Sequence, residues 1–338
     1  MMKTGIVGTG MIVKEFLQHL HGMEGLELRA ICGTPRREAD LQKLCETYKI
    51  ANWYVDYDVM LRDETVEVIY VAVPNHLHYE FCQKAVCAGK HVICEKPFTS
   101  NSREIQELYQ LAKSHNVMLL EAVTTRHLPN TQKIRQLLPK LGKIRIVTAN
   151  YTQYSSRYNA FKRGEVQPVF DLHKSGGALM DLNVYNIDLM ADLFGAPEQV
   201  HYAANMERGI DTSGILTMDY GSFQCVCIGA KDCHAPVFTC IQGDEGSIAV
   251  SSPVNMMTSL ELYQTKDRAG GRSGQGTVYN ADGGEHRMYH EFREFVRIVD
   301  EKDYTSAGKM MEVTLITMDV LTRARQSAGI VFDADLQG

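Results

Sequence analysis

Residues 66–73 read Val-Glu-Val-Ile-Tyr-Val-Ala-Val, and this run restricts the fold more than any other stretch of the chain. β-Branched residues on both faces of a strand need cover on both sides, which is the situation of a strand inside a parallel sheet. The flanking segments agree. Lys3–Val7, Leu26–Ile31, His91–Cys94 and Val117–Glu121 read as further strands. Between the strands, Met11–His21, Glu38–Tyr48, His78–Ala88 and Arg103–His115 read as helices, the first with Ile12, Phe16 and Leu20 on one stripe. Gly89 is a helix-ending residue, and Asn101 with Glu104 forms a capping-box variant for the next helix. Repeated β-α-β units predict a doubly wound parallel sheet, covered on both faces, over residues 1–121.

Beyond residue 122 the pattern changes. Ile144–Tyr154 reads as a long strand and Ala178–Leu193 as a helix ending at Gly195-Ala196-Pro197. Alternating segments follow at Gln199–Glu207, Gly214–Tyr220, Ser222–Ala230, Val237–Gly243, Ser247–Ser251 and Leu260–Tyr263, and helices return at Glu285–Val299 and Lys309–Ser327. This predicts an α+β domain over 122–338 with a large, mostly antiparallel, open sheet. One face of that sheet reads as apolar, which favours self-association. Arg268–Gly276, with four glycines, reads as a mobile surface loop.

A length of 338 residues suits two domains. A net charge of −6 gives no reason to expect nucleic acid or an anionic membrane as partner. No apolar run approaches the ~20 residues of a membrane span, and Met1–Gly5 leads straight into a strand without a signal-peptide core. The nine cysteines are odd in number and fall mostly inside apolar stretches, as reduced thiols of a cytoplasmic protein do. Cys225 and Cys227 sit at period two on one strand face, and His286 and His290 lack the Glu and third ligand of a zinc helix, so no metal site is expected.

Gly8-Thr9-Gly10-Met11-Ile12-Val13 follows the first strand and opens the first helix. The first glycine permits a tight turn, the second lets the backbone approach a pyrophosphate, and the helix N-terminus supplies amide donors. Val13 stands where a third small residue is usual. The end of the second strand, Cys32-Gly33-Thr34-Pro35-Arg36-Arg37, has no carboxylate for a ribose 2′-hydroxyl. Thr34, Arg36 and Arg37 suit a 2′-phosphate, which favours NADP over NAD. The second notable residue is Lys96, which ends the apolar strand Val-Ile-Cys-Glu-Lys-Pro at 92–97. A lysine is costly there unless its charge is used.

Glu95-Lys96-Pro97 at a strand end, after Pro74-Asn75-His76-Leu77-His78, resembles the glucose-fructose oxidoreductase / inositol dehydrogenase (Gfo/Idh/MocA) family. The resemblance runs over nearly the whole chain. It takes in the glycine turn, Val-Ala-Val-Pro-Asn at 71–75, Ala-Gly-Lys-His-Val at 88–92, Glu121-Ala122, Arg126-His127 and Gly-Gly-Ala-Leu-Met-Asp at 176–181. It implies a Rossmann domain, a C-terminal domain for substrate binding and oligomerisation as a homodimer or homotetramer, and NAD(P)-dependent redox chemistry on sugars, polyols or related compounds. Lys96 matches the family's active-site lysine. Val73, Pro74, Asn75 and His78 match the loop near the nicotinamide ribose, with Glu95 beside the lysine. Many members continue with Asp-x-Gly-x-His, whereas this chain has Asp181-Leu182-Asn183-Val184-Tyr185. A tyrosine there resembles the glucose-fructose oxidoreductase and dimeric dihydrodiol dehydrogenase branches, where it is taken as the acid/base.

The residue chemistry supports that reading. Hydride transfer to a carbonyl builds charge on oxygen, and a proton must reach it. A phenol is a weak acid alone, and a nearby ammonium makes its proton easier to exchange. Asp181, four residues before Tyr185, falls on the same helix face and suits orienting the lysine or holding a substrate hydroxyl. Arg126, His127 and His173 are candidate substrate-binding residues, on or near segments facing the expected cleft, and loop 155–175 is the expected source of specificity. Two rival readings remain open at this point: a cofactor-binding sensor without catalysis, which the changes around Asp181 would fit, and a glycoside-processing enzyme that recycles its cofactor.

Overall fold

The computed structural model describes residues 1–264 and 276–337. The loop expected at 268–276 lies outside the described residues except for Gly276. The chain forms two compact units: Met1–Ala122 with Met288–Leu315, and Val123–Arg287 with Ile316–Gly338.

The first unit runs β1 (Met2–Val7), α1 (Met11–Leu20), β2 (Leu26–Cys32), α2 (Glu38–Tyr48), β3 (Asn52–Tyr54), α3 (Tyr57–Leu61), β4 (Val68–Val71), α4 (His78–Cys87), β5 (His91–Glu95), α5 (Ser102–Ser114) and β6 (Leu119–Ala122). Its six-stranded sheet has the order β3-β2-β1-β4-β5-β6, and every pair is parallel. All four residues of β4 are buried, as its two-faced apolar pattern requires. α1 buries Val13, Phe16, Leu17 and Leu20 against the sheet, each worth about 1.5–3 kcal/mol of transfer free energy. β3 and α3 are additions to the sequence reading. β3 is a three-residue edge strand, too short for a period to show, and α3 is started by Asp56, whose carboxylate accepts from the N–H of Asp58 and Val59 at 2.9 and 3.2 Å.

The second unit holds α6 (Pro129–Leu137), β7 (Ile144–Thr152), α7 (Tyr158–Lys162), α8 (Val184–Phe194), β8 (Gln199–Glu207), β9 (Ile210–Asp219), β10 (Gln224–Ala230), β11 (Phe238–Gly243), β12 (Gly246–Val250), β13 (Leu260–Gln264) and β14 (Thr277–Tyr279). They form an eight-stranded sheet in the order β14-β13-β12-β11-β7-β10-β9-β8. β7 and β10 run parallel and the other pairs antiparallel.

The helix expected over 178–193 does not begin as an α-helix. Leu179–Asn183 is a π-helical turn, and α8 starts only at Val184. Its side chains explain this. Asn183 donates to the carbonyl of Cys227 and Asn186 to that of Ile228, both at 3.1 Å. The close approach uses Gly229, where a Cβ would lie 2.8 Å from that of Asn183. Turn and strand are therefore fitted to one another, and the wider turn serves this fit.

The chain then returns to the first unit through α9 (Arg287–Asp300), which buries Met288, Phe292, Phe295, Ile298 and Val299. Phe292 lies 4.7 Å from Phe16 and 5.3 Å from Tyr70, ring centre to ring centre, and Phe16 and Tyr70 are 5.0 Å apart. The division expected at 121/122 thus leaves out a stretch, 288–315, that packs with the N-terminal sheet. α10 (Tyr304–Ser327) starts one turn earlier than Lys309, because Asp303 accepts the N–H of Ser306 at 3.0 Å and its hydroxyl at 2.6 Å. These bonds, with Arg297, bring the Asp303 carboxyl down to about 2. Among the described residues, no helix is long and apolar enough to cross a membrane.

Phe292→Ala is expected to destabilise the protein by about 3–5 kcal/mol, read as a lower urea midpoint; an unchanged midpoint would show that this aromatic cluster is not part of the first unit's core.

Candidate active site

In the first unit the site residues gather at the carboxyl ends of β1, β2, β4 and β5, on either side of the point where strand order reverses. In open parallel sheets this is where ligands bind. The turn after β1 is fixed by its neighbours. Gly8 donates its N–H to the Cys32 carbonyl at 2.9 Å. Its φ is +122°, and a Cβ would lie 2.2 Å from the Ala72 carbonyl oxygen, so only glycine fits. Gly10 is the reverse case: nothing lies within 4 Å of where its Cβ would be. It precedes α1, whose N-terminus has no side-chain cap and no acidic residue in its first turn. The amide-bearing end of an α-helix, the positive end of its dipole and open space beside Gly10 together suit a pyrophosphate. Thr9 is half-buried beside Gly33, while Met11 is exposed and Ile12 half-buried. Val13 is fully buried, so the helix–strand contact admits a branched side chain.

Thr34, Arg36 and Arg37 are all exposed just past β2, and Arg37 pairs with Asp40 at 2.8 Å. The Cys32 thiol beneath them is pushed up to about 12, mainly by burial and also by the Asp56 charge. It is a packing residue rather than a nucleophile at neutral pH.

After β4, Val73 and Asn75 are half-buried and Pro74 is exposed. After β5, Glu95 accepts a 2.5 Å hydrogen bond from the buried Tyr70 hydroxyl, and half-buried Lys96 precedes Pro97 through a cis peptide bond. His78 joins the two segments. Its Nδ1 lies 2.9 Å from the Pro97 carbonyl and its Nε2 2.8 Å from the Val73 carbonyl. The ring is 1% exposed, and burial holds its pKa below the usual value. A neutral ring donates to one of those carbonyls only. His78 therefore ties the segment after β4 to the lysine turn after β5. The next turn is stiffened as well: Asn101 accepts the Glu104 N–H at 3.0 Å, and the Glu104 carboxylate returns to the N–H of Ser100 at 2.9 Å.

In the second unit, Asp181 lies in the π turn and Tyr185 in the first turn of α8. Tyr185 is 8% exposed and its ring centre is 5.9 Å from that of Tyr151. The Asp181 carboxylate is bonded by the ammonium of Lys231, a residue that sequence reasoning passed over. Two other buried carboxylates secure the segment. Asp211 accepts the Leu179 N–H at 2.7 Å and the Tyr202 hydroxyl at 2.9 Å. At Gly177, with φ +108°, a Cβ would lie 2.0 Å from its oxygen. Asp188, on α8, receives the Arg126 guanidinium, with Nε at 2.9 and 3.2 Å from its two oxygens. Both groups of that ion pair are buried, and removing one partner of such a pair costs about 3–5 kcal/mol. Asp192, one turn on, pairs with Arg135, and burial still raises its carboxyl above the ordinary range.

The three residues expected at the substrate sit in different settings. Arg126 bonds Asp188 of α8. His127 is half-buried in the turn after β6. His173 stands at the surface, with Nδ1 2.9 Å from the Asp333 carboxylate. Nothing in local sequence pairs residue 126 with 188, or 173 with 333; those partners are supplied by the fold.

A parallel sheet of this order, with a glycine turn at β1 and a lysine turn at β5, in a chain that also carries a separate open mixed sheet, defines a dinucleotide-dependent oxidoreductase. The chain belongs to the Gfo/Idh/MocA family: residues 2–123 match the oxidoreductase family with an NAD-binding Rossmann fold, and residues 131–249 match the GFO/IDH/MocA C-terminal domain. It is 33% identical to scyllo-inositol 2-dehydrogenase (NADP(+)) IolU of Bacillus subtilis (strain 168), over 99% of both chains. It is 24% identical to trans-1,2-dihydrobenzene-1,2-diol dehydrogenase of Mus musculus, again over 99% of both. Among solved structures, the 3-ketoreductase KijD10 of Actinomadura kijaniata, in complex with NADP and TDP-benzene, shares the fold with a TM-score of 0.80 at 20% identity, covering 96% of this chain and 97% of that one.

The His173–Asp333 pair makes a pH-dependent contribution. Asp333 raises the His173 pKa above its ordinary value, first by its hydrogen bond and then by its charge. A raised folded-state pKa gives stabilisation that is complete below the unfolded value, about 6.5, and that fades as pH rises through the folded value. The ring is fully exposed, so the effect is small. An NMR titration should place His173 above a model histidine and Asp333→Asn should lower it; an unshifted curve would show that the pair does not form in solution.

Proposed function

We propose that the protein transfers a hydride between NADP(H) and the carbonyl/hydroxyl carbon of a sugar, polyol or diol-like small molecule. The observation that carries this reading is the pairing at one sheet edge of an uncapped helix N-terminus over Gly8–Gly10 with a lysine turn at Lys96, the two lying across the strand-order reversal. The first unit would hold the dinucleotide: Gly8 to Ile12 at the pyrophosphate, Thr34, Arg36 and Arg37 at a 2′-phosphate, and Val73, Pro74, Asn75 and Glu95 near the nicotinamide ribose. The exposed cations past β2, and the absence of a carboxylate from that strand end, support NADP over NAD. The NADP(+) of the Bacillus relative's name agrees.

When bound, the nicotinamide supplies or accepts the hydride. The chain's own groups would manage the proton. In the reducing direction Tyr185 Oη gives a proton to the substrate oxygen, and the Lys96 ammonium favours the phenolate left behind. Asp181 accepts a hydrogen bond from a substrate hydroxyl. The second unit would bind the substrate, with His127 on its rim. The relatives named for inositol and dihydrodiol substrates support this class of compound. Reduced thiols, nine in number and unpaired, support a cytoplasmic setting.

We assign the open face of the second sheet to a second copy of this chain. Exposed Ile146, Ile215, Phe238 and Val278, on β7, β9, β11 and β14, fall on one face in the register of the sheet. An apolar face of this kind favours a symmetric partner. Light scattering is expected to give a dimer or tetramer that Ile215→Lys dissociates; a wild-type monomer would dispose of the assignment.

Activity is read on a panel of inositols, hexoses and 1,2-diols, with NADP(H) absorbance. Lys96→Ala is expected to lower kcat by about a hundredfold or more while NADPH binds within a few-fold of the parent. Unchanged turnover would defeat the catalytic assignment. In the same titrations NADPH should bind more tightly than NADH, and equal affinities would remove the 2′-phosphate site.

A further inference from the structure

Lys231 sits one residue past β10, the strand against which the π turn packs. Its side chain is 5% exposed, and its ammonium lies 5.6 Å from the centre of the Phe170 ring as well as on Asp181. The main chain is held on both sides: Lys231 N–H donates to the Thr212 carbonyl at 2.8 Å, and its carbonyl accepts from Ser155 N–H at 2.9 Å. The start of loop 155–175 and the lysine are therefore one rigid assembly.

The pair is lopsided. The cation is sealed in, whereas the Asp181 side chain keeps 32% of its surface. Taking an ammonium out of water costs several kcal/mol, about what a close anion can offset. For stability alone, apolar side chains of the same volume do as well or better in such a place. What the ammonium adds is a carboxylate of fixed charge and fixed direction, still open to a ligand, one turn before Tyr185.

We propose that Lys231 is a positioning residue for the reaction, holding the Asp181 carboxylate ionised and oriented to receive a hydroxyl neighbouring the reacting carbon of the substrate. This rests on the reading of Asp181 as a substrate-binding group. It narrows the substrate class to compounds with a hydroxyl beside the carbon that gives or takes the hydride, since an anionic acceptor fixed in place selects a donor.

The test uses Lys231→Met, Lys231→Gln, Lys231→Arg, Asp181→Asn and the Lys231→Met/Asp181→Asn double variant. Each is assayed with the best substrate of the inositol, hexose and diol panel and with its analogue lacking the adjacent hydroxyl, alongside NADPH affinity and the unfolding midpoint. Lys231→Met and Lys231→Gln should lose about tenfold or more in kcat/KM for the full substrate, with NADPH affinity unchanged. The analogue should respond little. Lys231→Arg should recover much of the loss, and the double variant should be no worse than Asp181→Asn. Should one uncharged variant fail to fold, the other with Lys231→Arg carries the comparison. Wild-type kinetics in the uncharged variants with Asp181→Asn impaired would overturn this proposal alone, as would losses equal for substrate and analogue, or losses that add to those of Asp181→Asn. Wild-type kinetics in Asp181→Asn, or a wild-type enzyme inert on the panel, would overturn the underlying reading and this proposal with it.

Discussion

β1 and β4 lie side by side although the sequence separates them by three α-helices and two strands, and most of the first unit follows from that neighbourhood. It makes the sheet doubly wound, since the chain builds outward on one side of β1 and then on the other. It brings the Ala72 carbonyl so close to the first turn that residue 8 can carry no side chain. That demand keeps the turn narrow where α1 begins, and a helix N-terminus there is the chemistry an anionic dinucleotide needs. The glycine is thus a packing requirement first and a binding feature as a result.

The second unit reaches its site by other means. Buried carboxylates act as fasteners: Asp211 holds the entry to the π turn, and Asp188 and Asp192 hold α8 through two arginines. Each would be costly if left unpaired, so the surrounding structure has few alternative arrangements that satisfy them all. The turn carrying Asp181 and Tyr185 is consequently stiff at both ends, and a stiff support is what acid–base groups require if their geometry is to persist through turnover.

The alternation of strands and helices in the first unit was legible from the chain alone because both periods are strong there. β4, α2 and the glycine turn fall close to where their patterns put them. What escaped had non-local causes. The stripe on α9 marks an amphipathic helix but does not say which sheet it covers. The π turn depends on two asparagines finding the carbonyls of β10. His78 carried a motif, yet its part was set by two carbonyls on either side of it. The partners of Arg126 and His173, Asp188 and Asp333, lie too far off in sequence for a local pattern to show them. Lys231 is a different kind of miss. It ends an apolar strand just as Lys96 does, and the cost of a lysine in such a place, which singled out the one, applies equally to the other.

The return of α9 to the N-terminal sheet also has a consequence for biosynthesis. A ribosome delivers the chain from its amino end, and the whole of the parallel sheet is in hand once β6 has emerged. Phe16 and Tyr70 still lack Phe292, which is made only after the eight strands of the other sheet. During that interval the nascent first unit displays an unfilled aromatic socket. The order of synthesis, rather than the finished fold, then sets how long that aromatic surface stays without its cover.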